Sequence, residues 1–317
     1  MIFVFPGQGS QVVGMGKDIY NAYPIAREVF HEVDDILGKK LSKIIFDGPI
    51  EELTITENAQ PALMAVSIAT LRVIEHLFGK SFSYDKEISY MCGHSVGEYT
   101  ALCASGALSL ASAARLLQVR STAMCEASSQ CEGGMLALLG TEVDEVDRLL
   151  NFLKLNDACE IANDNGGGQV VVSGSTSAIK QLISAMKDSN IKRMIRLQVS
   201  GPFHSRFMNP AYDIIADFTK NIHINRPSIP IVFNATAKEE EDQKIIKSLI
   251  TRQIISRVRW RETILYMAQK GIKKCIEVGP GQVLSNLVKR ISSSIDTRSI
   301  SSLNNVHDFV SDFSLVE

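Results

Sequence analysis

The sequence predicts an α/β protein: a larger domain on a mainly parallel sheet, with a small ferredoxin-like (split βαβ) domain inserted into it. Three observations predict this. Short apolar runs alternate with long amphipathic stretches along almost the whole chain, the pattern of strands joined by crossover helices. The strand candidates are short, largely apolar runs that end in Gly- or Asn-containing turns, which suits strands buried on both faces. Between about 134 and 199 the order changes to strand, helix, strand, strand, helix, strand, which is the split βαβ arrangement.

Taken in order, Ile2–Phe5 is a strand that stops at Pro6, and residues 59–78 and 110–127 are helices on either side of a second strand at 88–92. A helix-forming run at 98–108 follows that strand. The insertion reads as strand 135–140, helix 143–153, strands 160–163 and 169–174, helix 176–187 and strand 191–199. Strands at 229–234 and Lys274–Val278 complete the larger domain, and the residues from Ser292 onward read as a short polar tail. The domains are therefore 1–130 with 200–317, and 131–199. Counts of 33 Lys and Arg against 35 Asp and Glu in 317 residues leave a net charge of -2. That argues against nucleic acid as a partner and against a polybasic membrane-surface protein. The N-terminus lacks the basic and long apolar segments of a secretion signal, and no apolar run reaches the roughly 18 residues needed to span a bilayer. The six cysteines include no C-x-x-C pair, so free thiols in a reducing, cytoplasmic setting are expected.

The strongest chemical signal is Gly93-His94-Ser95-Val96-Gly97, set between an apolar strand and a helix. A G-x-S-x-G at such a junction is a nucleophile elbow, a turn so sharp that small residues must flank the serine and its hydroxyl is pushed out at the helix N-terminus. The larger domain is therefore expected to be α/β-hydrolase-like. A serine needs a base. His31, His76, His223 and His307 lie in polar surroundings that suit solvated or capping roles, and His94 adjoins the serine on a turn that sends successive side chains in different directions. His204, in a Gly/Pro turn where the chain leaves the insertion, is the candidate base; the plain alternative is a loop histidine. Arg120 has Leu116, Leu117, Ala123 and Met124 as its helical neighbours, so this cation sits on an apolar face. It needs a carboxylate, either internal or on a substrate held by the two-pronged guanidinium. The turn Pro6-Gly7-Gln8-Gly9-Ser10-Gln11 fails the dinucleotide pattern because Val12 stands where a third glycine belongs. It either feeds backbone N–H groups into the crevice as an oxyanion hole does, or is only a tight turn. Glu277-Val278-Gly279-Pro280-Gly281 reads as a strand-to-helix turn lining the crevice. No His, Cys, Asp or Glu spacing suggests a metal site.

Together, Gly7-Gln8-Gly9-Ser10-Gln11, Gly93-His94-Ser95-Val96-Gly97-Glu98, Arg120, Pro202-Phe203-His204-Ser205, Asn234 and Gly279-Pro280-Gly281 resemble, in order and over essentially the whole chain, the malonyl-CoA:acyl carrier protein transacylases of bacterial fatty acid synthesis. The resemblance implies a malonyl-serine intermediate on Ser95 and His204 as base and then acid. It also implies an oxyanion hole from the N–H groups of Gln11 and Val96, and Arg120 binding the malonyl carboxylate. Gln253 matches the residue whose main-chain carbonyl orients the histidine, in keeping with the lack of an obvious acidic third member between Ser95 and His204. Met124, Asn163 and Phe203 match substrate-binding positions, Gln169 matches a crevice-lining one, and Phe203 goes with malonyl over methylmalonyl selectivity. The implied partners are malonyl-CoA and an acidic acyl carrier protein, the latter docking on a basic patch that includes Lys187, Lys192, Arg193 and Arg206; a second basic run is Arg252, Arg257, Arg259 and Arg261. No cofactor is expected beyond the coenzyme A thioester substrate, no membrane or nucleic-acid partner, and a monomer. The competing readings are a serine thioesterase, which would release the acyl group to water, and a silent carrier-binding scaffold of the same fold.

Overall fold

The computed structural model describes residues 1–79, 84–186 and 193–314. Ten strands run in chain order: β1 Ile2–Phe5, β2 Tyr90–Gly93, β3 Gly133–Leu139, β4 Cys159–Gly166, β5 Gln169–Ser175, β6 Arg193–Arg196, β7 Ile231–Val232, β8 Glu239–Glu240, β9 Lys274–Val278 and β10 Asp296–Ile300. They form two sheets. The larger has the order β10-β9-β1-β2-β7-β8 and is parallel except for the β7–β8 pair. The smaller has the order β4-β5-β3-β6 and is antiparallel, the arrangement of a split βαβ unit.

Strand β1 shows why the large sheet is central. Its four residues are fully buried; Phe3 and Phe5 enter one core while Ile2 and Val4 enter a second with Trp260 and Ile264 on the other face, as the two-residue alternation of a strand requires. The insertion has its own core of Leu136, Leu138, Val146, Leu150, Val172 and Leu182. The opposite face of its sheet, including Met135, Ala137 and Val171, joins the core of the larger domain. The helix Thr56–Phe78 is the one described helix long and apolar enough by composition to cross a membrane, but 78% of its most apolar window is buried within the fold. It packs against helices Pro24–Leu37 and Leu110–Ser129, so its hydropathy is that of a core helix.

Three elements differ from the sequence reading. The strand expected at 229–234 shortens to Ile231–Val232, since Asn234 turns toward the elbow and β8 adds an antiparallel edge. The polar tail holds β10 and a helix, Leu303–Ser314. As an edge strand, β10 is half-exposed along most of its length and needs little apolar character. The last strand of the insertion is Arg193–Arg196, while residues 191 and 192 of the expected strand lie outside the described residues.

Candidate active site

The elbow is built from close backbone approaches. Strand β2 ends at Gly93 and helix Val96–Ala104 begins directly after Ser95, which sits at φ 52° and ψ -108°. A Cβ on Gly93 would lie 2.0 Å from the Gly97 carbonyl carbon, and one on Gly97 would lie 2.1 Å from Phe5 O; only glycine fits either position. Asn234, just past β7, staples the turn. Its Oδ1 accepts from the Ser95 N–H at 2.7 Å, its Nδ2 donates to Gly93 O at 2.7 Å, and its own N–H donates to Glu98 Oε2 at 2.6 Å. Glu98 is fully buried on this first helical turn. Burial pushes its carboxyl up to about 8, against the opposing pull of the Asn234 N–H and the Arg120 charge.

The helix Leu110–Ser129, capped by Ser109, delivers Arg120; the turn after the insertion delivers His204; and the helix Gln243–Gln253 ends at Gln253. Ser95 Oγ lies 2.7 Å from His204 Nε2, and His204 Nδ1 lies 3.0 Å from Gln253 O. A carbonyl only accepts, so Nδ1 carries the proton and Nε2 is free to accept from the serine. The carbonyl is available because the last carbonyls of a helix lack intrahelical partners. Burial, reinforced by the Arg120 charge, holds the His204 imidazole down to about 3, so it stands as the neutral base at pH 7. The turn that carries it is anchored on both domains: Ser173 Oγ of β5 donates to Phe203 O, and a Cβ on Gly201 would meet Ser128 Oγ at 1.9 Å.

Arg120 is 1% exposed. Its Nη2 donates to Ser95 Oγ at 3.2 Å and to Gln253 Oε1 at 3.0 Å, and its guanidinium lies 5.0 Å from the Tyr99 ring centre. Among the described residues it joins no ion pair, and its Nε has no hydrogen-bond partner. The buried Glu98 carboxyl feels the Arg120 charge, but no carboxylate among the described residues lies within ion-pair distance of the guanidinium. Ser95 Oγ accepts from a cation on one side and donates to a neutral imidazole on the other.

The remaining sequence candidates surround this centre unevenly. The glycine loop after β1 packs on the elbow, since a Cβ on Gly7 would lie 2.6 Å from His94 O. The N–H groups of Gln11 and Val96 have no hydrogen-bond partner among the described residues. Asn163 of β4 places Nδ2 3.3 Å from His94 Nε2, which lies 2.8 Å from Asn165 Oδ1. Met124 and Phe203 are buried, Met124 about one turn beyond Arg120. Gln169 instead opens β5 at the hairpin tip, paired with Gly166 and Leu139. His31 and His307 bond to tyrosine hydroxyls and His223 to Asn225, all away from the serine. Among the described residues no group of three His, Cys, Asp or Glu side chains is placed to hold a metal ion.

Sequence reasoning missed two parts. Asn234 and Glu98 belong to the recognised motifs but carry no role there, although a lone acid in the buried run Val96–Cys103 signals a partner. The basic patch needs correction as well. Arg206 is not a free cation, because it pairs with Glu160 and with Asp157, acids distant in sequence. Lys187 and Lys192 lie outside the described residues. In the second basic run, Arg257 and Arg259 pair with Glu262, and Arg261 pairs with Asp164.

Residues 2–315 match the acyl transferase domain family. The chain belongs to that family. Among curated relatives, this acyltransferase is 38% identical over 300 residues to the malonyl CoA-acyl carrier protein transacylase of Bacillus subtilis (strain 168), covering 94% of this chain and 92% of the relative. It is also 38% identical over 302 residues to the Escherichia coli (strain K12) protein of the same name, covering 95% of each. Among solved structures, the acyl-carrier-protein-S-malonyltransferase from Bartonella henselae superimposes with a TM-score of 0.94 at 41% identity over 99% of both chains. A malonyl-transacylase in complex with a type II PKS acyl-carrier protein gives 0.92 at 34% identity, over 98% of this chain and 99% of that one.

Proposed function

We propose that this acyltransferase moves the malonyl group of malonyl-CoA to the phosphopantetheine thiol of acyl carrier protein, by a ping-pong route through malonyl-Ser95. His204 Nε2 takes the proton as Ser95 Oγ attacks the thioester carbonyl, and the N–H groups of Val96 and Gln11 receive the tetrahedral oxyanion. Collapse expels coenzyme A, whose sulfur takes the proton from His204. The carrier thiol then gives its proton to His204 and attacks the acyl-serine, and collapse expels Ser95 Oγ, which takes that proton back from His204. Because a main-chain carbonyl orients the imidazole, no third carboxylate is required. The observation that supports malonyl is the buried Arg120 guanidinium, in no ion pair among the described residues and with Nη2 3.2 Å from the nucleophile. A charge so placed is costly unless a carboxylate meets it, and the free carboxylate of a malonyl group fits its fork.

The reading calls for no cofactor, since coenzyme A arrives and leaves as substrate. The chain works as a monomer in the cytoplasm, and the carrier protein docks on basic surface beside the insertion, with Arg193 as its described member and Lys187 and Lys192 adjoining it in sequence. Intact-mass measurement after mixing with malonyl-CoA should show one malonyl adduct on the wild-type chain, none on Ser95→Ala, and transfer of the adduct to added holo-carrier protein. Rapid hydrolysis of malonyl-CoA, indifferent to the carrier, would establish the thioesterase instead. No adduct on the wild type would establish the silent scaffold.

A further inference from the structure

We infer that the side chain of Gln253 is a positioning residue that ties the oxyanion site to the carboxylate-binding arginine through one buried amide. This rests on the reading of Ser95 as nucleophile and Val96 as oxyanion donor. The main-chain carbonyl of Gln253 serves His204, yet its fully buried side chain makes two further bonds that this role does not require. Its Nε2 donates to Ser95 O at 2.9 Å, and its Oε1 accepts from Arg120 Nη2 at 3.0 Å.

The first bond acts on the peptide that joins Ser95 to Val96. That unit is planar and trans, so its carbonyl and its N–H point in opposite directions. Ser95 O already accepts from the Glu98 N–H at 3.0 Å; with Gln253 Nε2 as a second donor the carbonyl is fixed on both sides, and the Val96 N–H is aimed the other way. That N–H opens a helix and has no intrahelical acceptor, which leaves only the peptide plane to orient it. The second bond sets the guanidinium beside the same serine. A carboxamide is the neutral side-chain group that offers a donor at one atom and an acceptor at the next. The substitution Gln253→Glu would keep the acceptor and lose the donor, and Gln253→Met would lose both while keeping much of the volume. Acyl-carboxylate recognition and oxyanion stabilisation are thereby linked through a residue whose contact with the base is main-chain and survives side-chain replacement.

The test compares wild type, Gln253→Met and Gln253→Glu by single-turnover acylation with acetyl-CoA and malonyl-CoA, alongside thermal unfolding and the pH profile. Acetyl lacks the free carboxylate, so its acylation reports the oxyanion site without the arginine. Both variants should lose about tenfold or more in acetyl acylation. The acid limb of the pH profile should stay in place in Gln253→Met, where His204 keeps its carbonyl partner, and move to higher pH in Gln253→Glu, whose carboxylate offsets the Arg120 charge that holds His204 low. Gln253→Met should lose more with malonyl than with acetyl. Acetyl acylation within about twofold of wild type in the variants would overturn the link, as would a shifted acid limb in Gln253→Met, which would mean the base itself had been rearranged. If Gln253→Met does not fold, acetyl acylation of Gln253→Glu still tests the lost donor, because acetyl carries no carboxylate for Arg120 to meet. Absence of a Ser95 adduct in the wild type would instead defeat the underlying functional reading, so the two failures are distinguishable.

Discussion

Arg120 and His204 share one electrostatic environment, which makes the arginine both a binding group and a control on the base. Its positive charge disfavours protonation of the buried imidazole and adds to the effect of burial in holding His204 low, at about 3 against an ordinary 6.5. Under limiting malonyl-CoA, which reports the free enzyme, the acid limb of acylation should therefore fall well below pH 6.5. Arg120→Ala removes the charge, so protonation becomes easier and the limb should move to higher pH. The same variant should lose on the order of 100-fold in malonyl acylation and far less in acetyl acylation. Equal losses with both acyl groups, or a limb that does not move upward, would make Arg120 a structural residue. The type and face of this arginine were legible in the sequence, because a cation with Leu116, Leu117, Ala123 and Met124 around it is conspicuous. The absence of an ion-pair partner was not, since any of the 35 acidic residues could have folded against it.

At the level of elements, the site depends on three turns at the carboxyl ends of parallel strands, where open α/β sheets bind their ligands. The turns after β1, β2 and β9 contact one another: the Gly7 loop lies on His94, and a Cβ on Gly279 would strike Ser67 Oγ at 2.2 Å with Pro6 at 3.0 Å. Gly97→Ala places a methyl group against the main chain of β1, a neighbour that cannot swing aside. The variant should be destabilised by roughly 3 kcal/mol or more, read as a lowered urea midpoint, whereas a wild-type midpoint would show that the strand-helix contact can relax. Ile2–Phe5, apolar throughout, and Lys274–Val278, buried from Cys275 onward, are readable to the residue. Strand β10 is not, because an edge strand exposed on one side carries no apolar signature. The buried Glu277 on β9 shows a similar masking: its carboxylate accepts the N–H groups of Leu284 and Ser285 at 3.1 and 2.7 Å and caps the following helix, a purpose invisible until that helix is placed.

On the scale of the whole molecule, the insertion is more than an appendage. Its strand β5 tethers the His204 turn through Ser173, and its strand β4 supplies Asn163 and Asn165 to His94, so two domains meet at one reaction centre. Its exit strand also exposes Arg193, where an acidic carrier would be drawn in. Arg193→Glu should leave malonyl-CoA acylation of Ser95 unchanged while raising the KM for the carrier several-fold, with a weaker salt dependence than wild type; an unchanged carrier KM would place docking elsewhere. The sequence alone determined the elbow, the base candidate and the apolar-face arginine, because each is a local departure from what a strand, loop or helix ordinarily carries. It determined the order of the insertion for the same reason, through periodicity. Only the tertiary structure decided that Arg206 is neutralised while Arg120 is not, that Asn234 and Glu98 close the elbow, and that one glutamine side chain reaches both Ser95 and Arg120. Those facts depend on pairings across 46 to 158 residues of chain, and a hydrogen bond or ion pair is set by distance in space, which local sequence pattern does not encode.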